Sequence, residues 1–280
     1  MIDSYKTRNT IKLTFTYLFI GIMILIALFP ALWIFSGSLN PGHSLFSTKF
    51  IPENATFIHY KELFQETDFG IWYINTLKVG AGTAILGVFL ASLTAYAFSR
   101  LKFAGRKVGM MVMLIIQVFP GVMSMVALYV LLNLVELLDT HIGLIIIYAA
   151  GTVPYHSWLM KGYLDTIPKS LEEAAIIDGA SHWKIFWTII LPLAIPMLSV
   201  LALFYFVAPF GDFLFARLVI TSPDKWTLAL GLYEFVVDQY GKNFTIFAAG
   251  SLLAAIPILI LHLSMQSMLV SGLTRGANKG

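Results

Sequence analysis

Long apolar runs alternate with short polar ones along most of this chain. Residues 13–35 contain no Asp, Glu, Lys or Arg. Runs of similar character cover 79–98, 108–132, 142–160, 185–210 and 244–270. About 20 apolar residues cross a bilayer as a helix. The pattern therefore predicts an all-α polytopic membrane protein with six transmembrane helices. The first run is too long and lacks the flanks of a cleaved signal, so it is read as an uncleaved span.

Details inside the runs refine the picture. Gly80 and Ala84, then Gly87, Ala91 and Ala95, recur every four residues and place small side chains on one helix face. In membranes such a face packs against another helix. The glycines of 80–87 are no phosphate loop, because no Gly-Lys-Ser/Thr follows. Pro120 predicts a kink in the third span, and Pro192, Pro196 and Pro209 make the fifth span unusual. Neighbouring helices can satisfy the carbonyls that prolines free. Three segments follow: 1–71, an N-terminal helix and an external stretch; 72–265, the transmembrane core; and 266–280, the end of the last helix and a tail.

The stretch 170–196 stands apart, because its polarity is mixed between two apolar runs. Ser170 is placed to cap a helix, with Glu173 completing a capping box. Glu172 and Glu173 suit the positive end of the helix dipole. Ala174 and Ala175 leave the backbone open to close approach. Gly179 follows Asp178 where a helix-ending glycine belongs, and Ser181 can cap the next helix. A short helix with a small-residue face suits a groove on a partner.

Composition agrees: 58% of residues are hydrophobic and 12% charged, with a mean hydropathy of +0.82. That excludes an ordinary soluble domain. Cysteine is absent, so disulfides and thiolate metal sites are excluded. The net charge of +3 matters less than its distribution. With six spans, the side shared by both termini, the 99–107 loop and the 161–184 stretch holds 12 of 18 basic residues but 5 of 15 acids. The positive-inside tendency makes that side cytoplasmic. No basic, aromatic-interleaved patch suggests nucleic acid.

The spans carry no Asp, Glu, Lys or Arg except edge residues such as Lys78 and Lys184. Ion-coupled carriers and intramembrane hydrolases rely on such buried groups, and no hydrolase or Walker motif is present. His156 and His262 read first as hydrogen-bonded bundle residues, with a proton-relay or ligand role as the alternative. Gln117, Ser124, Tyr129, Tyr148, Tyr155, Trp158 and Tyr205 are candidates to line a substrate path, since aromatic rings stack on sugars and hydroxyls and amides bond them. Interfacial anchoring is the blander reading for each.

The 170–196 stretch carries a resemblance. Glu173-Ala174-Ala175, Asp178-Gly179-Ala180, Phe186, Ile189, Leu191-Pro192-Leu193 and Pro196 resemble the EAA loop of ATP-binding-cassette importer permeases. Ala95-Tyr96-Ala97-Phe98-Ser99-Arg100, Gln117-Val118-Phe119-Pro120 and Val126-Ala127-Leu128-Tyr129 are similar to the smaller permease of maltose/maltodextrin importers. So are Lys161-Gly162-Tyr163, the 226–231 stretch and Gly272-Leu273-Thr274 with Gly276, Lys279 and Gly280.

The resemblance implies an importer permease for oligosaccharides, foremost maltose or maltodextrins, in a bacterial-type cytoplasmic membrane. It implies a second permease subunit, two ATP-binding-cassette ATPase subunits and an external sugar-binding protein. This chain would hold no cofactor; ATP and magnesium would sit on the partner ATPase. Glu172, Glu173, Ala174, Ala175, Asp178, Gly179 and Ala180 would form the coupling helix that docks on the ATPase. Thr274, Arg275, Gly276 and Lys279 would lie at the ATPase interface. Asp238, Gln239, Tyr240, Lys242 and Asn243 would face the binding protein, though this chain departs from the family pattern there. The alternative is an ion- or proton-coupled sugar carrier working without an ATPase.

Overall fold

All regular elements among the described residues are helical. The structure, a computed structural model, describes residues 2–42, 50–237 and 243–277, and side chains within 11–42, 50–237 and 243–268. In order the helices are α1 (Ile2–Ser38), α2 (Ile58–Gln65), α3 (Phe69–Arg100), α4 (Arg106–Ile116), α5 (Met125–Leu134), α6 (His141–Leu164), α7 (Ser170–Ile177) and α8 (His182–Ile185). They continue as α9 (Leu191–Leu193), α10 (Ile195–Gly211), α11 (Leu214–Val219), α12 (Leu228–Val237) and α13 (Phe244–Ala277). Four helical stretches, Ile11–Ser38, Phe69–Arg100, His141–Leu164 and Phe244–Met268, are long and apolar enough to cross a membrane. Two bent pairs bring the total to as many as six if each pair makes one crossing. This is an all-α, polytopic membrane protein.

The bent pairs correct two expectations. The third run does not merely kink: Arg106–Ile116 and Gly121–Leu134 diverge by 95°. Pro120 is extended, at φ −60° and ψ 125°, and has no N–H to continue the ladder. The fifth run also breaks, with an 82° angle between His182–Leu193 and Ile195–Gly211. Pro192 cannot donate to the carbonyl of Thr188. The chain upstream widens into a π-turn over Phe186–Ile190, in which the Leu191 N–H reaches the Phe186 carbonyl. Pro196 removes a second bond beyond the break at Ala194.

The chain forms two compact units. In the unit made of 1–67 and 232–253, α1 has none of its most apolar window buried. Its C-terminal end is tied to α2: the Ser38 and Tyr60 hydroxyls lie 2.8 Å apart, and His59 Nε2 is 2.8 Å from the Asn40 carbonyl. Asn243 caps the start of α13, its Oδ1 accepting from the Ile246 N–H at 3.1 Å.

In the unit made of 68–231 and 254–280, α3 packs on α6 and α10. The small-residue face of α3 makes this possible. A Cβ on Gly80 would stand 2.8 Å from the Phe206 carbonyl, and one on Gly87 would overlap the Tyr205 ring. Ala91 and Ala95 are fully buried in the same cluster, with Tyr96, Met160, Phe186, Val200 and Tyr205. A second cluster gathers Val79, Leu132, Leu144, Tyr148, Ala216 and Ile220. Asp139 joins loops there, accepting from the N–H groups of Thr221 and Ser222, the Ser222 hydroxyl and the Lys225 ammonium.

Candidate coupling site

The α7 helix begins at Ser170, but Ser170 is not its cap. Lys169 occupies the N-cap position in helical geometry with no side-chain bond, so the expected capping box is absent. Lys169 and Ser170 already belong to the turn, and the Lys169 carbonyl accepts from the N–H groups of Glu172 and Glu173, each at 3.0 Å.

The other end of α7 is as expected. Gly179 has φ +81°, a region that costs most side chains strain. Its N–H reaches the Ile176 carbonyl at 2.9 Å, and the Ala180 N–H reaches the Ala175 carbonyl at 2.9 Å. This pair of bonds is a Schellman ending. Ala175 and Ala180 both pack against the core cluster, which supplies the accompanying apolar contact. Ser181 then caps α8, accepting from the Lys184 N–H at 3.3 Å.

Two adjacent glutamates have opposite fates. Glu173 is exposed with Ala174, Asp178 and Gly179. Glu172 is buried and ion-paired with Arg100 in the last turn of α3. Arg100 also donates to the carbonyls of Leu164 and Ile167, at 2.9 and 3.1 Å, and to the Ser99 hydroxyl at 2.9 Å. The Ser99 hydroxyl donates to Asp165 at 2.6 Å, and Lys161 donates to the other Asp165 oxygen at 2.6 Å. Burial opposes the charge on Asp165, but these hydrogen bonds and the nearby cations outweigh it and hold the carboxyl below its ordinary range. One network thus fastens α3, the end of α6 and the start of α7. The sequence places Arg100 in a basic loop and in the 95–100 motif, and neither reading points to Glu172.

The outward side of α7 is unusually apolar for an exposed short helix. Ile177 is 86% exposed, and Leu171 and Ile176 are also open. Together with Glu173, Ala174 and Gly179 they form one uncovered edge of this unit.

The candidate path residues do not converge. Tyr205 lies in the first core cluster, against His156 with ring centroids 4.3 Å apart. Tyr148 lies in the second and donates to Asp212 at 2.6 Å. Gln117 donates to the Gly151 carbonyl and Ser124 to the Gly121 carbonyl. Tyr129, Tyr155 and Trp158 are largely exposed. Asp212 was not anticipated; Tyr148 pairs with it from 64 residues away. Asp238, Gln239, Tyr240, Lys242 and Lys279 lie outside the described residues, as do the side chains of Thr274, Arg275 and Gly276. Asn243 spends its side chain on the α13 cap.

Comparison with known proteins places this geometry in context. Residues 84–273 match the family described as "binding-protein-dependent transport system inner membrane component". The chain is 42% identical over 283 residues to the galactooligosaccharides transport system permease protein GanQ of Bacillus subtilis (strain 168), covering 100% of each. It is 42% identical over 275 residues to the maltodextrin transport system permease protein MdxG of the same organism, covering 98% of this chain and 99% of that one. Among solved structures it is similar to a chain of a bacterial ABC transporter involved in the import of the acidic polysaccharide alginate. That likeness has a TM-score of 0.77 at 24% identity, covers 91% of this chain and 95% of that one, and concerns the fold alone.

Proposed function

We propose, for a chain that belongs to the family of binding-protein-dependent transport system inner membrane components, the role of permease subunit in an ABC-type sugar importer. The observation that carries this is 42% identity along essentially the whole chain to two oligosaccharide permeases. The subunit is a conduit and not a catalyst. Its substrate is an oligosaccharide, foremost maltose or maltodextrin. The equal identity to a galactooligosaccharide permease gives galacto-oligosaccharides as the second reading.

In this reading the chain crosses the bacterial cytoplasmic membrane six times with both termini cytoplasmic. It pairs with a second permease, two ATPase subunits that bind ATP and magnesium, and an external sugar-binding protein. The exposed edge of α7, with Glu173, Ala174, Ile176 and Ile177, docks in a cleft of the ATPase; the 273–280 tail reaches the same partner. Glu172 faces inward and ties that helix to α3. ATP-driven closure of the partners moves α7, and α8 carries the motion toward the break at Ala194. This is alternating access by rigid-body movement.

The test is ATP hydrolysis by the complete reconstituted importer. Stimulation by maltodextrins supports the first substrate, and stimulation only by galacto-oligosaccharides moves the assignment to the second. Sugar uptake that needs no ATPase and collapses with uncouplers would replace the importer by the carrier.

A further inference from the structure

The end of α3 and the start of α4 hold more positive charge than the acids among the described residues neutralise. Arg100 is spent on Glu172, and Lys161 on Asp165. Three cations remain within six residues: Lys102, Arg106 and Lys107, with no acid between them. Among the described residues Arg106 is held by carbonyls, those of Ser99 at 3.0 Å and Leu101 at 3.4 Å, which orient the guanidinium without cancelling its charge. Lys102 and Lys107 have no partner among the described residues.

These cations border two cavities. One of about 450 Å³ is lined by Phe98, Arg106, Lys107, Met110 and Lys161. The other, of about 410 Å³, adjoins Lys102, Phe103, Gly105, Arg106, Lys107 and Val108. Both share Arg106 and Lys107; the first adds Lys161 beside apolar Phe98 and Met110, and the second adds Lys102 beside Phe103, Gly105 and Val108. They lie where the apolar helix Phe69–Arg100 ends and the apolar stretch Arg106–Ile116 begins, and the ends of membrane-crossing helices are where headgroups lie.

We propose that this paired cavity binds the headgroup of an anionic glycerophospholipid. The phosphodiester sits between Arg106 and Lys107, with Lys102 at its outer side. The glycerol and upper acyl chains lie along Met110, Val108 and Phe98. Charge selects the ligand: a zwitterionic lipid brings its own cation into a site that already has three. The apolar lining selects lipid over a free phosphate ion, which gains nothing from Phe98 or Met110. The inference needs only that α3 and α4 end at a membrane surface, so it stands or falls independently of the transported sugar.

The test uses the complete importer in mild detergent, titrated with phosphatidylglycerol or phosphatidylcholine of matched chains and read by native mass spectrometry. The wild type is expected to retain phosphatidylglycerol preferentially. Lys102→Gln/Lys107→Gln should weaken that retention by roughly 25-fold, at about fivefold per basic residue, and leave phosphatidylcholine unchanged. Arg106 is left intact because it holds the loop carbonyls. Lys184→Gln, elsewhere on the same side, should change nothing. Equal retention of both lipids by the wild type would overturn the proposal, even if the double variant could not be recovered. So would an equal loss in Lys184→Gln, or displacement of the lipid by equimolar inorganic phosphate. Loss of the ATPase subunits with unchanged lipid binding would also overturn it, assigning the patch to a protein contact instead.

Discussion

Arg100 and Glu172, 72 positions apart, form an ion pair whose side chains are only 4% and 8% exposed. The pair clamps the first turn of α7 to the last turn of α3. Removing one partner from a buried pair leaves an uncompensated charge and costs roughly 3–5 kcal/mol. Glu172→Ala and Arg100→Ala should each uncouple sugar from ATP hydrolysis in the assembled importer. The apolar double variant Arg100→Met/Glu172→Leu should recover part of it, because it leaves no charge stranded. Single and double variants with equal losses would assign Glu172 to the partner instead of to Arg100.

Gly179 tests the helix ending. A β-branched residue at φ +81° is strained by roughly 1–2 kcal/mol. A Cβ there meets nothing within 4 Å, so the strain is conformational and not steric. Gly179→Val should leave membrane abundance near normal and abolish sugar-stimulated hydrolysis, with Gly179→Asn milder. Wild-type behaviour of both would refute the docking role of α7.

Gly87 tests the close approach of α3 to α10. Any side chain at this position displaces the Tyr205 ring, an overpacking of about 1–3 kcal/mol. Gly87→Val should reduce membrane abundance and lower the thermal midpoint in detergent. Tyr205→Leu should restore part of the loss in the double variant. Additive losses would show that the two residues do not press on each other.

Asp139 gives a pH dependence. Burial opposes its charge, but the Lys225 ammonium, the Ser222 hydroxyl and two backbone N–H groups outweigh it and hold the carboxyl far below the ordinary range. The unfolded value is about 3.9. A native value below it means the stabilisation is complete above about pH 5 and is lost as pH falls below the unfolded value toward the native one. The pair is partly open to water, so the effect is small. Asp139 has φ +54°, a left-handed conformation that Asn also tolerates, so Asp139→Asn should keep the backbone and melt earlier than wild type at pH 7. That gap should narrow below pH 4; a gap constant from pH 7 to pH 3 would exclude a charge effect.

Topology is open to direct labelling, because the native chain has no cysteine. A cysteine placed within 102–106 should resist a membrane-impermeant thiol reagent in intact cells, and one within 60–66 should react. The opposite result would invert the proposed orientation.

Local signals were legible in the sequence, and long-range pairings were not. Gly179 could be read because only a glycine ends a helix that way without strain, and the four-residue recurrence of Gly80, Ala84 and Gly87 marked the packing face of α3. Ser170 misled, since a good capping residue also fits a first helical position once Lys169 turns early. Nothing local tells that Glu172, rather than Glu173, turns inward; its partner is in another helix. Tyr148 and Asp212 are likewise joined only by the packing of α6 beside the end of α10. The prolines announced disruption in two spans, but their angles of 95° and 82° depend on what each half packs against.

The break at Ala194 sets a lever. The 12 residues His182–Leu193 run from the end of the α7 turn to that break, a length of about 18 Å at helical rise. A rotation of only about 10° at Ala194 would sweep the far end through roughly 3 Å. Pro192 and Pro196 have already removed ladder hydrogen bonds on both sides of the pivot. Such a swing would therefore break few bonds, and its amplitude would be limited by Tyr96 of α3, against which His182 and Phe186 of the lever rest.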